Sequence, residues 1–365
     1  MKTQLSALDI HYIIKELDFL IDGKIVKIYT PSKKEIILQF HIPNKGKQQL
    51  KIDEKSLYLL ENKFPAESPS GFCMYLRKKL TNSRLRKISQ IGFERIIELQ
   101  FETKEETLSL ICELFSKGNI ILAKDNIILS AAENQEWSDR IIAPKKEYSH
   151  PKKEYNLLTL TEQDLINLLK KTDKESIIKT IAIDLGLGGS YSEEVCLIAN
   201  IDKNQKPSLS DPKKIFSSLN KLLSKEISPR NIYEKNILKD IVPFEMKLYQ
   251  NLKQEQAPSF NKAIESYFSN EIIIKEESKH EKQFEKIENI ISQQNKHIQE
   301  LVILEQENKL KAEALYHHYQ LVSKILAELK EISRKHNWKE IQDKLKNHKL
   351  IKQVNPKDKT IVLRL

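Results

Sequence analysis

The run from Arg77 to Lys87, RKKLTNSRLRK, carries Arg77, Lys78, Lys79, Arg84, Arg86 and Lys87 and no acid. The first three end a helical pattern, where cations also suit the helix dipole. Arg84 and Arg86 alternate along a strand pattern and share a face. Phosphate contacts need focused positive charge, because each displaces a condensed counterion. Dispersed lysines on a solvated helix end are the plainer explanation, but the density of the run and its arginine content favour contact with RNA. A second candidate is DLGLGGSYSEEVC, residues 184–196. One helix ends near Leu185, and Gly186, Gly188 and Gly189 make a tight turn. A new helix opens near Ser190. Amides at such a helix start can hold a phosphate without reading a base, although the same hairpin also serves packing or protein contact. Asp9, Glu94 and Arg95 form a third candidate. Asp9 points away from the Ile10/Ile13 stripe, and Glu94-Arg95 opens a strand after Gly92. Spacing alone reads these three as a surface ion pair of little energetic weight.

Catalytic chemistry has no comparable signature. The nine histidines are scattered, and Cys73, Cys112 and Cys196 form no CxxC pair. No GxGxxG, Walker A or GxSxG pattern occurs. The sequence therefore predicts a non-enzymatic protein without cofactor or metal, kept in a reducing cytoplasm. No signal-like segment and no long apolar run occurs, so no membrane partner is expected. The net charge of +10, from 61 basic and 51 acidic residues in a chain of 365, favours polyanionic partners. A Lys-rich composition by itself explains the charge equally well.

The elements that must position these residues follow from periodicity. Residues 5–21 read as a helix with Ser6 as N-cap. Strands are expected at 25–29, 35–41 and 48–52, and a second helix from Ser70 to about Leu80. Further strands are expected at about 84–91, 94–101, 107–112, 119–124 and 127–130, with hairpin turns at Gly118-Asn119 and Asp125-Asn126. This is an α+β domain with an antiparallel sheet. Residues 130–156 read as a linker or extended arm, and 161–268 as a punctuated all-α region. From 276 the stripe Phe284, Ile287, Ile291, Gln294, Ile298, Leu301 has coiled-coil spacing. It continues through Ala312, Leu315, Tyr319, Val322, Leu326 and Leu329 without Gly or Pro. A short helix at 338–346 and a strand at 359–365 close the chain. That apolar last strand suggests a piece of something longer.

Several segments resemble the NFACT family of large-subunit ribosome rescue factors. Residues 6–29 (SALDIHYIIKELDFLIDGKIVKIY) resemble the opening of its N-terminal domain, and 69–101 its most distinctive segment. Residues 113–129 resemble the stretch that follows. Residues 185–202 are similar to its helix-hairpin-helix module, and the helix from 276 onward, with 314–329 and 337–345, to its first coiled-coil arm and middle domain. The resemblance implies a formamidopyrimidine-glycosylase-like N-terminal domain over 1–155 and a helix-hairpin-helix domain over 156–272. It implies a coiled-coil arm over 273–312 and part of a small middle domain over 313–365. It also implies binding to stalled large ribosomal subunits through rRNA and peptidyl-tRNA, and recruitment of aminoacyl-tRNA to tail the nascent chain. The family's tailing residues fall on Asp9, Glu94 and Arg95. Position 94 departs from the family's usual aspartate by one methylene. The arm would lack its antiparallel partner, leaving a homodimer as one outcome. A DNA glycosylase is disfavoured, since that chemistry uses an N-terminal proline amine and this sequence reads Met1-Lys2-Thr3. Two competing functions stay open: a generic nucleic-acid-binding coiled-coil protein, and a fibronectin-binding-like surface adhesin.

Overall fold

The computed structural model describes residues 2–61, 69–138, 140–151, 153–346 and 348–365, the side chains of 270–283 and 285 excepted. It divides into two units, 1–274 and 275–365.

The first unit begins with α1 (Ala7–Leu17), fixed by a capping box. Ser6 accepts from the Asp9 amide, and the Asp9 carboxylate accepts from the Ser6 amide. A turn then feeds β1 (Lys24–Ser32), β2 (Glu35–Ile42), β3 (Gly46–Ile52) and β4 (Leu57–Leu60). Next come α2 (Gly71–Leu80), β5 (Arg84–Gln90), β6 (Ile96–Glu102), β7 (Thr107–Glu113), β8 (Asn119–Lys124) and β9 (Ile127–Ala131). The strands form one antiparallel sheet, ordered β4-β3-β2-β1-β5-β6-β7-β8-β9. Two helix-plus-meander units thus meet at the β1–β5 seam. The β8–β9 hairpin turns on Asp125 (φ 48°) and Asn126 (φ 65°), both left-handed.

Alternation along β6 to β8 divides the core. Ile97, Leu99, Leu110, Cys112 and Leu122 join the main core with α1. Ile96, Ile111, Ile121 and Ala123 face the other way and pack with Ile128, Ile142 and Tyr148. The segment expected as a linker at 130–156 therefore covers the second face. It carries the short hairpin β10 (Gln135–Glu136) and β11 (Ile141–Ile142). Arg140 reaches the buried Glu113 through two bonds of 2.5 and 3.0 Å, and the Tyr148 hydroxyl donates to the same carboxylate at 2.9 Å. Ile142 and Tyr148 anchor the segment in this core, and its Arg140 finds its acid on β7.

The remainder of this unit holds α3 (Glu162–Lys171), α4 (Ile177–Lys179) with a π-helical turn to Asp184, α5 (Gly189–Ala199) and α6 (Pro212–Leu223). The expectation of an all-α region fails at 230–256. There β12 (Arg230–Glu234), β13 (Ile237–Val242) and β14 (Lys253–Gln256) form a three-stranded sheet. Its hairpin turns on Lys235 and Asn236, both at positive φ, a signal hidden among charged residues. The helix α7 (Phe260–His317) starts against the large sheet. Glu16 of α1 accepts from the Phe260 and Asn261 amides at 2.8 and 2.9 Å. Asn261 and Glu265, one turn apart, accept from the Leu59 and Glu61 amides at 2.7 and 2.6 Å. Side chains of α7 thereby satisfy the free edge of β4, which would otherwise offer a template for pairing.

In the second unit α7 ends at His317, and α8 (Tyr319–Lys335), α9 (Trp338–Lys344), β15 (Ile351–Asn355) and β16 (Thr360–Leu363) follow. Ile325, Leu329, Ile341, Ile351 and Val354 make its small core. The uninterrupted heptad pattern concealed the break at 317–319. The arm's stripe is solvent-exposed where its side chains are described: Phe284 is 70% exposed, Ile287 55%, Ile291 50% and Ile298 57%. The start of the stripe, at 276–283, lies outside the described side chains. No helix among the described residues is long and apolar enough to cross a membrane.

Candidate nucleic-acid interface

Asp9 sits in the first turn of α1 and is fully buried, which corrects its expected place on the outer face. The Tyr191 hydroxyl, from the first turn of α5, donates to Asp9 Oδ1 at 2.6 Å. Lys2 Nζ lies 3.1 Å from Asp9 and 3.1 Å from Asp240, and donates to the Ile241 carbonyl at 2.6 Å. The Tyr249 hydroxyl donates to the other Asp240 oxygen at 2.6 Å. Burial lowers the affinity of Lys2 for its proton, but the charges of Asp240 and Asp9 outweigh it and leave the pKa raised above 10.5. Burial, with Asp9 and Asp240 behind it, pushes the Tyr191 phenol well above its ordinary value. An ammonium between two carboxylates, with two tyrosines completing the shell, is a satisfied buried network. It fastens α1, α5 and the β12–β14 sheet together.

The Glu94-Arg95 turn adjoins the same place. Gln90 donates to the carbonyls of Ala7 and Glu94, both at 2.8 Å, and so ties that turn to the start of α1. Glu94 does not meet Asp9; it pairs with Lys153 at 2.6 Å. The Lys153 ammonium also stands where a Cβ on Gly186 would be, with the Phe93 carbonyl 3.8 Å away. Gly186 (φ 71°) and Gly188 (φ 80°) need the left-handed region, and a Cβ on Gly188 would lie 4.0 Å from that of Ser6. Arg95 donates to the Glu54 carbonyl at 3.2 Å, while its buried Nε has no partner among the described residues. Burial lowers its pKa to about 10 against the opposing field of Asp9. Asp9, Glu94-Arg95 and Gly186, Gly188, Gly189 and Ser190 therefore converge, although they are far apart in sequence.

Gly188 caps α5 with no side-chain hydrogen bond and no acid in the first turn. In front lies a cavity of about 300 Å³, lined by Lys2, Thr3, Gln4, Ser6, Gly188, Gly189, Ser190, Lys239 and Asp240 among others. Lys2 is held between Asp9 and Asp240 and Lys239 pairs with Glu234 at 3.0 Å, so it is the first-turn amides of α5 that are on offer to an oxyanion there. Lys2, Tyr191, Asp240, Gln90 and Lys153 escaped the sequence reading. Only the Ser6–Asp9 spacing of a capping box was a legible hint.

The basic run stands elsewhere and is less free than its sequence implies. Arg84 and Arg86 adjoin Asp22, beyond the last turn of α1, whereas Asp9 is in the first. Arg86 is bound by Asp22 and Glu102, and Lys79 pairs with Glu106 at 3.2 Å. Arg77 donates to the Ile28 carbonyl at 2.8 Å and lies over the Tyr29 ring. Arg84 donates to the Asp22 carbonyl at 3.2 Å. Lys78, Arg84 and Lys87 are exposed and make no ion pair among the described residues, although Glu102 stands directly across from Arg84. The acids came from other strands, which a local reading of 77–87 does not see. Among the described residues no group of three or more His, Cys, Asp or Glu could hold a metal ion.

The sequence pattern of the NFACT N-terminal and middle domains matches residues 6–361. The archaeal Rqc2 homolog aRqcH of Methanocaldococcus jannaschii is 30% identical over 392 residues, covering 100% of this chain and 58% of that protein. The human ribosome quality control complex subunit NEMF is 24% identical over 381 residues, covering 93% of this chain and 35% of its own length. The chain thus spans little more than half of the archaeal relative and about a third of the human one. Among solved structures, the N-terminal part of the fibronectin/fibrinogen-binding protein from Streptococcus suis superposes with a TM-score of 0.60. It is 22% identical and covers 73% of this chain and 100% of that one. The fibrinogen-binding protein from Staphylococcus aureus gives a TM-score of 0.58 at 18% identity, covering 72% and 98%. These two establish the shared fold. With the match running over residues 6–361, the chain belongs to the NFACT family.

Proposed function

We propose that this chain is the recognition part of a cytoplasmic, non-enzymatic ribosome-associated quality control factor. It binds stalled large ribosomal subunits that hold peptidyl-tRNA, and recruits charged tRNA for C-terminal tailing of the nascent chain. The observation that carries the reading is the meeting of Asp9, Tyr191 and the start of α5 beside an amide-lined cavity, with Arg95 near enough to Asp9 for their charges to interact. The names of the archaeal and human relatives, an Rqc2 homolog and a ribosome quality control complex subunit, point the same way. The chemistry on offer is recognition. Burial pushes the Cys112 thiol up to about 12 and Cys196 to about 11, so neither is an available nucleophile.

In this reading the buried Lys2–Asp9–Asp240 network holds the hairpin amides and Arg95 at a fixed spacing for phosphate groups. Glu94 tethers Lys153 rather than touching tRNA. The finer kinship of the N-terminal domain to formamidopyrimidine-type glycosylases is part of the proposal, as is pairing of the arm's apolar stripe with a second copy.

The test is sedimentation with large subunits with and without peptidyl-tRNA, for the wild type and for Arg95→Ala. Selective binding to the peptidyl-tRNA subunits, weakened by roughly tenfold or more in the folded variant, is expected. Equal binding to vacant subunits, or no change in Arg95→Ala, contradicts it. The names of the streptococcal and staphylococcal structures favour an adhesin as second reading. Saturable binding to immobilised fibronectin, absent with ribosomes, would establish that instead.

A further inference from the structure

The two halves of the large sheet repeat one another around the β1–β5 seam. Residues 21–30 and 81–90 follow the same sequence of exposed and buried positions, residue for residue. Asp22 (φ 66°) and Asn82 (φ 70°) occupy the same left-handed turn position before the strands. Both strands slip register at equivalent places, between Ile25 and Lys27 and between Leu85 and Lys87. The backbone bonds are reciprocal. Ile25 donates to Ser83 and Leu85 to Gly23, at 2.9 and 3.0 Å; Asn82 donates to Ile25 and Asp22 to Leu85, at 2.9 and 2.7 Å. The seam is a local two-fold axis.

The axis brings basic residues of both repeats together. Lys24 and Arg84 are direct cross-strand partners, so their side chains leave the same face. Each register slip turns two successive residues outward, which exposes Lys27 in one strand and Lys87 in the other. Antiparallel strands carry Lys27 and Lys87 to opposite ends. The row Lys27–Lys24/Arg84–Lys87 spans six strand residues, ~20 Å at about 3.3 Å per residue.

None of these four cations forms an ion pair among the described residues: Glu102 stands directly across β6 from Arg84, but it and Asp22 are taken by Arg86. The repeat supplies no second acid, since Asn82 stands where Asp22 stands in the first half. Like charges directly across a strand pair are unfavourable in the free chain, and a polyanion laid along the row removes that repulsion. The row is open and linear, which suits a chain of phosphates better than a single small anion.

We infer that the β1–β5 seam is a docking track for an RNA phosphodiester backbone, held by Lys24, Lys27, Arg84 and Lys87. The inference rests on the RNA-facing reading above but assigns a different surface. Lys24 and Lys27 join it from the first repeat, while Arg77, Lys79 and Arg86 serve the fold. Contacts of this kind are indifferent to sequence and steeply salt-dependent.

The test uses the whole chain with all four residues changed to Gln, and fluorescence anisotropy with a tRNA and an unrelated structured RNA across a salt series. The slope of log affinity against log salt is expected to flatten by roughly 3, from about 0.7 to 0.9 per lost phosphate contact, with affinity down by about tenfold or more. Lys27→Gln/Lys87→Gln alone is expected to give half that change, and Lys79→Gln, which leaves Glu106 its pair with Lys124, none. An unchanged slope in the folded quadruple variant overturns the inference, as does an equal effect per residue from Lys79→Gln. Binding to anionic lipid vesicles but to neither RNA assigns the seam to a membrane and also overturns it. A wild type that ignores stalled subunits yet shows the slope change on the unrelated RNA supports the track and sinks the ribosome reading alone.

Discussion

Lys2 is the residue on which the buried network depends most. Its side chain is 10% exposed, Asp9 is 0% exposed and Asp240 10%, and both carboxylates stand 3.1 Å from the ammonium. Lys2→Met keeps the aliphatic stem and removes the charge, leaving two nearly buried carboxylates facing each other. Breaking a buried ion pair from one side costs about 3–5 kcal/mol. Tyr191→Phe removes only one donor to Asp9, which keeps Lys2 and both Ser6 donors. A hydrogen bond to a charged group is worth about 1.5–3 kcal/mol, so the second variant should be clearly milder. The double variant Lys2→Met/Asp9→Asn should cost about 1–2 kcal/mol less than the sum of its single changes, because it removes a charge along with its partner. The raised pKa of Lys2 fixes the pH dependence. Its contribution is fully present below about 10.5 and is lost only as pH rises through the higher folded value, so it stays flat from pH 6 to 9. Urea unfolding followed by circular dichroism measures each quantity. A loss under about 1 kcal/mol for Lys2→Met, or strict additivity in the double variant, refutes the reasoning.

Arg140→Met leaves Glu113, 3% exposed, with Tyr148 as its remaining side-chain donor, and should cost about 3–5 kcal/mol in the same assay. His11 has its pKa lowered to about 4 by burial, with Lys15 adding to it. The unfolded chain therefore binds a proton first as pH falls below about 6.5, and stability should decline between pH 6.5 and 4. His11→Asn should flatten that decline, as read from urea midpoints at pH 7 and 5. The exposed stripe of Ile287, Ile291 and Ile298 should make the chain self-associate in sedimentation velocity, and Ile291→Lys/Ile298→Lys should return it to monomer.

Local signals in the sequence were sufficient for α1 with its Ser6 cap, for α2, and for eight of the nine strands of the large sheet to within two or three residues at their ends. The exception, β4, is a four-residue run whose edge is completed by Asn261 and Glu265 from some two hundred positions away. Residues 130–156 read as a linker because nothing local announces that Arg140 will meet Glu113. The strands at 230–256 were masked by charge, and their hairpin turns on Lys235-Asn236 rather than on an Asn-Gly signal. Each part of the candidate site was visible on its own, as a cap, an acid-arginine pair and a glycine turn. Their meeting was not, since Lys2, Asp240 and Gln90 have no motif to mark them. The basic run, free of acids in sequence, is partly answered in space: Lys79 and Arg86 meet Glu106, Asp22 and Glu102 from other elements. The repeat of Lys24-Ile25-x-Lys27-Ile28 in Arg84-Leu85-x-Lys87-Ile88 was there to be read.

The most direct test of the ribosome reading is ultraviolet crosslinking of the whole chain to RNA in lysate, with sequencing of the recovered RNA and mapping of the crosslinked peptides. Recovery of tRNA and large-subunit rRNA is expected, with crosslinks near Arg95 and residues 186–190. Recovery of no RNA, or of RNA without tRNA or large-subunit sequences, would contradict it.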